Sequence, residues 1–286
     1  MDTIKHTLKQ TLKQSRLKLT LAALTIVAGS TMLASSAHAD RPFILPGMTL
    51  NSGNAPLITF DAAVGENVFY FDHNTLSIDN LVITAADGSI VKPEGVALGK
   101  LRNSFDLRAT LQGTYKVSIV NDFIIANYKE NGAPKRWRGT VEAFAKEVPA
   151  NAEELQVLQA QSRIETFVTN GKPTQTALQA TGKGLELGAV SHPNDIVDGE
   201  PATFKMLLDG KPAAGIKVTV IPGGARYRQN LGEKNYTTDA EGKFTVQWQG
   251  AGMYWMQARA NDNKAAISAA KERRASYVAT LEVMPQ

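Results

Sequence analysis

The chain has 286 residues, with 31 Lys and Arg against 27 Asp and Glu, four His and no Cys. Without cysteine there is no disulfide and no lipid-anchored N-terminal Cys, and any metal site must use nitrogen and oxygen donors. Five of the basic residues and one acid fall in the first 39 positions, so residues 40–286 carry no net charge, which argues against a nucleic-acid partner or a cationic membrane-binding surface.

Those first 39 residues read as a secretory signal peptide. Lys5, Lys9, Lys13, Arg16 and Lys18 precede an uncharged stretch, Leu19 to Ala34, and Ala37-His38-Ala39 supplies the small residues of a cleavage site. Cleavage after Ala39 is expected, giving a periplasmic chain that starts at Asp40. The alternative is an uncleaved anchor, for which the stretch is short and rich in Thr, Ser and Gly. No other long apolar run follows, so no membrane span is expected in the mature protein. Only His73 and His192 remain beyond the cut, too few for a three-His zinc site within one chain.

Beyond the leader the chain reads as all-β. Leu57 to Ala63, Val68 to Phe71, Leu81 to Ala85, Ser104 to Ala109, Tyr115 to Asn121 and Ile164 to Thr169 are short, rich in β-branched and aromatic residues, and separated by turn signals such as Ala86-Asp87-Gly88-Ser89 and Asn131-Gly132. Helical periodicity is confined to Thr140–Lys146 and Ala152–Gln161. Residues 174–184, "TQTALQATGKG", are polar, small and strand-poor, and mark a domain boundary. The expected organisation is a β-sandwich over 40–173, a linker over 174–184 and a second sandwich over 185–286. In the second half, turns at Asp209-Gly210, Asp239-Ala240-Glu241-Gly242 and Gly250-Ala251-Gly252 separate strands, and residues 262–274 read as a charged loop or hairpin tip.

Several residues have chemistry to offer. His73 follows Asp72 in "VFYFDHN", where an imidazole beside a carboxylate can ligate nickel, cobalt, copper or zinc, or where Asp72 and Asn74 simply shape a turn. Asp61 can join if its strand pairs nearby. His192, in "SHPNDIVDGE", has Asp195, Asp198 and Glu200 close in sequence, and the competing reading is a turn between domains. If both His-bearing turns meet across a cleft, His73, His192, Asp72 and Asp195 form a metal site. Arg136, Trp137 and Arg138 can grip an anion or chelate, or be the solvated flank of a hairpin. Arg226, Tyr227 and Arg228 offer similar chemistry. Asp239 and Glu241 are too few for a calcium loop. No nucleophile–base pair or phosphate loop is recognisable, so a non-enzymatic protein is expected.

"DGKPAAGIKVTV" and "YTTDAEGKFTVQWQGAGMYWMQA" resemble the transthyretin-like, Ig-like modules of exported proteins. With "RPFILPG", "VFYFDHNTLSIDNLVITAADGS", "NGAPKRWRGTVEAFAKEVPANA", "RIETFVTNGKP" and "LELGAVSHPNDIVDGEPATFKMLLDGKPAAG", the mature chain is similar to the NikM-like family, the so-called periplasmic component of cobalt/nickel transport systems. Many members carry a His close to the cut, whereas here His38 leaves with the leader. The resemblance implies two Ig-like or transthyretin-like sandwiches. It also implies an accessory role in transition-metal or metal-chelate uptake, with an envelope metal transporter or outer-membrane receptor as partner. The alternative is a structural, protein-binding module of the envelope.

Overall fold

The computed structural model describes residues 40–286, and the leader and its cleavage site lie outside them. In chain order the strands are β1 (Arg41–Pro46), β2 (Leu50–Asn51), β3 (Leu57–Gly65), β4 (Asn74–Thr75), β5 (Leu81–Thr84), β6 (Ile90–Val91), β7 (Glu94–Leu98), β8 (Asn103–Arg108), β9 (Gly113–Glu130) and β10 (Ala133–Gly139). After helix α1 (Val141–Glu147) come β11 (Glu153–Asn170), β12 (Leu185–Ala189), β13 (Pro201–Leu208), β14 (Lys211–Pro212) and β15 (Lys217–Pro222). The last four are β16 (Lys234–Thr237), β17 (Lys243–Gln247), β18 (Gly252–Asp262) and β19 (Ala270–Val283).

The all-β expectation holds, and one sheet organises the molecule. Its main path runs β16-β15-β18-β19-β11-β9-β5-β6, with β10 paired to β9 and β2 to β11. Thus β19, near the C-terminus, lies parallel beside β11, with Ile164 opposite Val278 and Thr166 opposite Thr280. Side chains alternate between the two faces of a strand. On one face Tyr115, Val117, Ile119, Ile164, Val168, Ile221, Trp255 and Val278 pack against Phe43, Phe60, Phe105 and Leu107 of the sheet β1-β3-β8-β7. On the other, Phe167, Val218, Met256, Ala258, Tyr277 and Leu281 pack against Leu187, Phe204, Met206 and Phe244 of the sheet built from β12, β13, β14 and β17. Two hydrophobic clusters thus lie on opposite faces of one shared central sheet, and a third forms around Ile124, Ala126 and Tyr128.

The segment expected as a linker is tied into this structure. Ala177 and Leu178 are buried in a single 3-10 turn, and Lys116 Nζ donates to the Gln179 carbonyl at 3.1 Å. Residues 40–286 accordingly form one compact unit.

Two local expectations are corrected. Ala152–Gln161 is not a helix; from Glu153 on it is the first half of β11. Leu, Gln and Ala favour a helix in isolation, but here pairing with β9 on one side and β19 on the other overrides that preference. Val68–Phe71 is a turn, not a strand, because Phe69 adopts φ +65° to lay its ring edge-on against Phe43 at 5.4 Å. Helix α1 does form where expected, with Thr140 Oγ1 capping the Ala143 N–H at 3.2 Å. The β9–β10 hairpin turns through Asn131 and Gly132, both left-handed as its two-residue turn requires.

Candidate functional site

Since Val68–Phe71 is a turn, His73 does not end a strand but sits in the loop between β3 and β4. Its Nε2 lies 3.4 Å from Asp40 Oδ1, and it is 36% exposed. Asp72 points elsewhere, its Oδ1 accepting the Glu66 N–H at 2.9 Å and closing the loop. Arg41 also donates to the Glu66 carbonyl. Asp61 is engaged by other partners, accepting from Ser104 Oγ at 2.5 Å and pairing with Arg102 at 3.3 Å. The corner therefore offers one open imidazole and one carboxylate, Asp40, that the sequence reasoning had not placed beside it.

His192 is of a different kind. It is only 9% exposed, and both ring nitrogens are occupied. Nδ1 accepts the Asn194 N–H at 3.1 Å, so the proton resides on Nε2, which donates toward the Thr174 carbonyl and Thr114 Oγ1, each at 3.1 Å. Thr114 Oγ1 continues to Thr169 Oγ1 at 2.9 Å, and Thr169 Oγ1 donates to Asn194 Oδ1 at 3.0 Å. This closed polar ring latches the His192 turn onto β9 and β11. Asp195 is exposed in the same turn, its backbone N–H on the His192 carbonyl at 3.0 Å, and the Asp198 carboxylate accepts the Gly250 N–H at 2.6 Å.

The structure does not bring His73 and His192 together. Arg41, at the start of β1, pairs with Gly65 beside the His73 loop. The chain just past the other end of β1 reaches Thr49, whose carbonyl accepts from Thr169 next to His192. A strand of this length spans roughly 20 Å, beyond shared ligation. Among the described residues, no group of three or more His, Cys, Asp or Glu is placed to hold a metal ion.

Burial holds the His192 pKa below its ordinary value, against the opposing Thr174 hydrogen bond and Asp195 charge. The folded state thus binds a proton less readily than the unfolded chain. Stability should be full above the ordinary imidazole range near 6.5 and fall as pH drops through that range toward the lower folded value. Denaturant midpoints at pH 7.5 and 5 should show this loss, and His192→Gln should flatten that part of the profile while costing about 1–3 kcal/mol at pH 7.5. A wild-type profile indistinguishable from the variant's would refute the latch.

The Arg136-Trp137-Arg138 run splits by strand alternation. Trp137 turns toward α1, donating from Nε1 to Glu147 Oε2 at 2.8 Å and packing edge-on against Phe144. It offers no stacking face to a ligand held by its neighbours. Arg136 and Arg138 project from the opposite face, into a cavity of about 520 Å³ that Arg259 and Arg274 also line. Arg226 stacks on the Tyr70 ring at 4.6 Å, Tyr227 is exposed, and Arg228 donates to the carbonyls of Pro222, Gly223 and Leu231, shaping its own loop. Asp239 Oδ1 accepts the N–H groups of Glu241 and Lys243, as a turn residue should.

The fold and these sites define a mostly β protein that presents side chains on the faces and edges of a shared sheet. The chain belongs to the family described as a domain of unknown function, DUF4198, whose pattern matches residues 37–262. No curated protein sequence matches it. Among solved structures, the D0-D1 domain of Intimin aligns at 14% identity over 84% of this chain and 97% of that one, with a TM-score of 0.20. The human OSCAR ligand-binding domain aligns at 10% identity over 85% of this chain and 98% of that one, with a TM-score of 0.19. Among the described residues no helix is long and apolar enough to cross a membrane.

Proposed function

We propose that the protein is an exported, non-catalytic accessory of transition-metal uptake, handling a nickel- or cobalt-type ion as a chelate or together with donors of an envelope transporter. Copper and zinc are the other ions its donor chemistry suits. The observation that supports this is the solvent-open His73–Asp40 corner. One imidazole and one carboxylate hold a divalent ion only loosely, which suits transfer, and leave coordination positions for a chelator or a partner's side chains. Titrating the full-length-expressed protein with each metal, with and without citrate, should raise its melting temperature by mass action. His73→Ala should abolish the rise. No shift at about 100 μM metal in either condition, at any affinity useful for uptake, would overturn the reading.

One feature favours the alternative of a protein-binding module. Strand β7 is the outer strand of its sheet and is exposed along its whole length, with Leu98 75% and Val96 51% exposed. An apolar, unprotected edge can take an added strand from a partner. A photo-crosslinker placed at Leu98 that yields one defined adduct in the envelope, from a protein indifferent to metal, would establish this reading in place of the first.

A further inference from the structure

We infer that the arginine-lined groove on the distal half of the central sheet binds a small oxyanion ligand carrying two or more carboxylates or phosphates. The inference deepens the chelate reading by naming the ligand class. The groove's preference for oxyanions does not depend on the metal.

The register places the residues. Across the sheet, Arg138 of β10 lies opposite Ile125 of β9, and Phe123 lies opposite Ala160 of β11. Ala160 in turn lies opposite Arg274 of β19, which faces Asn261 of β18, and two residues along Ser162, Ser276 and Arg259 lie in line. These residues share the face that, further along the sheet, packs on β1, β3 and β8. That packing sheet does not extend to the distal half. The opposite face there is covered by α1 and the 263–269 hairpin tip, which bury Ile124, Ala126 and Tyr128. The outcome is an open trough with small side chains, Ala160, Ser162 and Ser276, along its floor and arginines on both walls.

Three further observations point to an anionic occupant. Among the described residues, no acidic side chain lines the cavity. Among the described residues Arg136, Arg138 and Arg259 have no carboxylate partner, and only Arg274 has one, Glu272 Oε2 at 2.8 Å. Arg273, one residue from Arg274 but on the opposite face, is by contrast neutralised, buried between Asp209 at 2.8 Å and Asp262 at 2.6 Å. The Arg138 guanidinium is also held in place, 3.8 Å above the centre of the Phe123 ring, so part of its ordering cost is met before a ligand arrives. A cavity of about 520 Å³ suits a small molecule, and guanidinium forks on facing walls match an anion with separated oxygen pairs better than a single carboxylate.

The test is calorimetric titration of protein purified after expression of the full chain, at low salt and without metal, using citrate, pyrophosphate and acetate. Citrate or pyrophosphate should bind and acetate bind at least about tenfold more weakly, with Arg138→Ala and Arg274→Ala each weakening the favoured ligand about tenfold. The preferred ligand tells whether the source is a polycarboxylate or a phosphate compound. Arg108→Ala, an exposed arginine paired with Glu94 on the β1-β3-β8-β7 sheet, should change nothing. No binding of either polyanion up to about 1 mM, or equal affinity in the groove variants and the wild type, overturns the inference. Oxyanion binding with no metal response sinks the uptake reading alone, and a metal response with no oxyanion binding sinks the groove alone.

Discussion

Arg163→Ala is expected to destabilise the protein by about 3–5 kcal/mol, the cost of stranding buried carboxylates. Arg163 projects from β11 and is 7% exposed. Its Nη1 donates to Glu165 Oε1 at 3.2 Å, while Nη2 donates to Thr181 Oγ1 at 3.1 Å and lies 3.4 Å from Glu186 Oε1. Glu165 is further held by Ser118 Oγ and by the Tyr277 hydroxyl, each at 2.9 Å. Burial, reinforced by the Glu165 charge, pushes the Tyr277 phenol well above its ordinary range, so it remains a donor. Glu186 collects the N–H groups of Thr181, Gly182 and Lys183 together with the Thr181 hydroxyl. The network thus fastens residues 181–186 to β9, β11 and β19, and the guanidinium is the charge shared by both acids. Glu165→Gln, which keeps the shape and removes one charge, should cost less than Arg163→Ala. Chemical denaturation of the two variants decides the matter: an Arg163→Ala protein within about 1 kcal/mol of wild type would mean that water reaches these carboxylates.

That network shows where the sequence stopped being readable. Strands with clean alternation, such as β3, β15 and β17, and the turns between them were legible, because the period of two and the turn residues are local. So was α1, from Thr140 and the short periodic run after it. The 18-residue length of β9 and β11 was not, since it depends on partners more than 100 residues away in the case of β19. Nor was the single central sheet: the strand-poor segment 174–184 has the composition of a linker, and it is its contacts with Lys116, Arg163, Glu186 and His192 that pack it down. At the candidate sites the same division applies. Arg136 and Arg138 were visible as a pair, but their convergence with Arg259 and Arg274 is a matter of register across five strands. His192 drew attention as a rare histidine, and its hydrogen bonds to Thr114 and Thr174 make it a structural latch instead.

Gly242→Ala should cost about 3 kcal/mol or more, well above the usual penalty for a left-handed glycine. Gly242 closes the turn between β16 and β17 with φ +77°. Its N–H donates to the Asp239 carbonyl at 3.0 Å, and its own carbonyl accepts from Met206 at 2.8 Å, so the turn is bonded to β13. A Cβ here would stand 2.6 Å from the Met206 carbonyl oxygen and 3.0 Å from the Ala213 nitrogen. Both are backbone atoms, joined to each other by the Ala213 N–H to Met206 carbonyl bond at 2.9 Å, and neither can swing away as a side-chain tip would. The added methyl must break that bond or lift the turn off the sheet. Gly132 supplies the comparison: its φ is +78° and, among the described residues, nothing lies within 4 Å of where its Cβ would be. Gly132→Ala therefore carries only the conformational penalty, about 1 kcal/mol. Urea midpoints for both variants separate strain from collision, and Gly242→Val should be worse than Gly242→Ala because its branched side chain adds bulk at the same contact. Equal destabilisation of Gly242→Ala and Gly132→Ala would show that the turn does not press on the β13–β14 backbone.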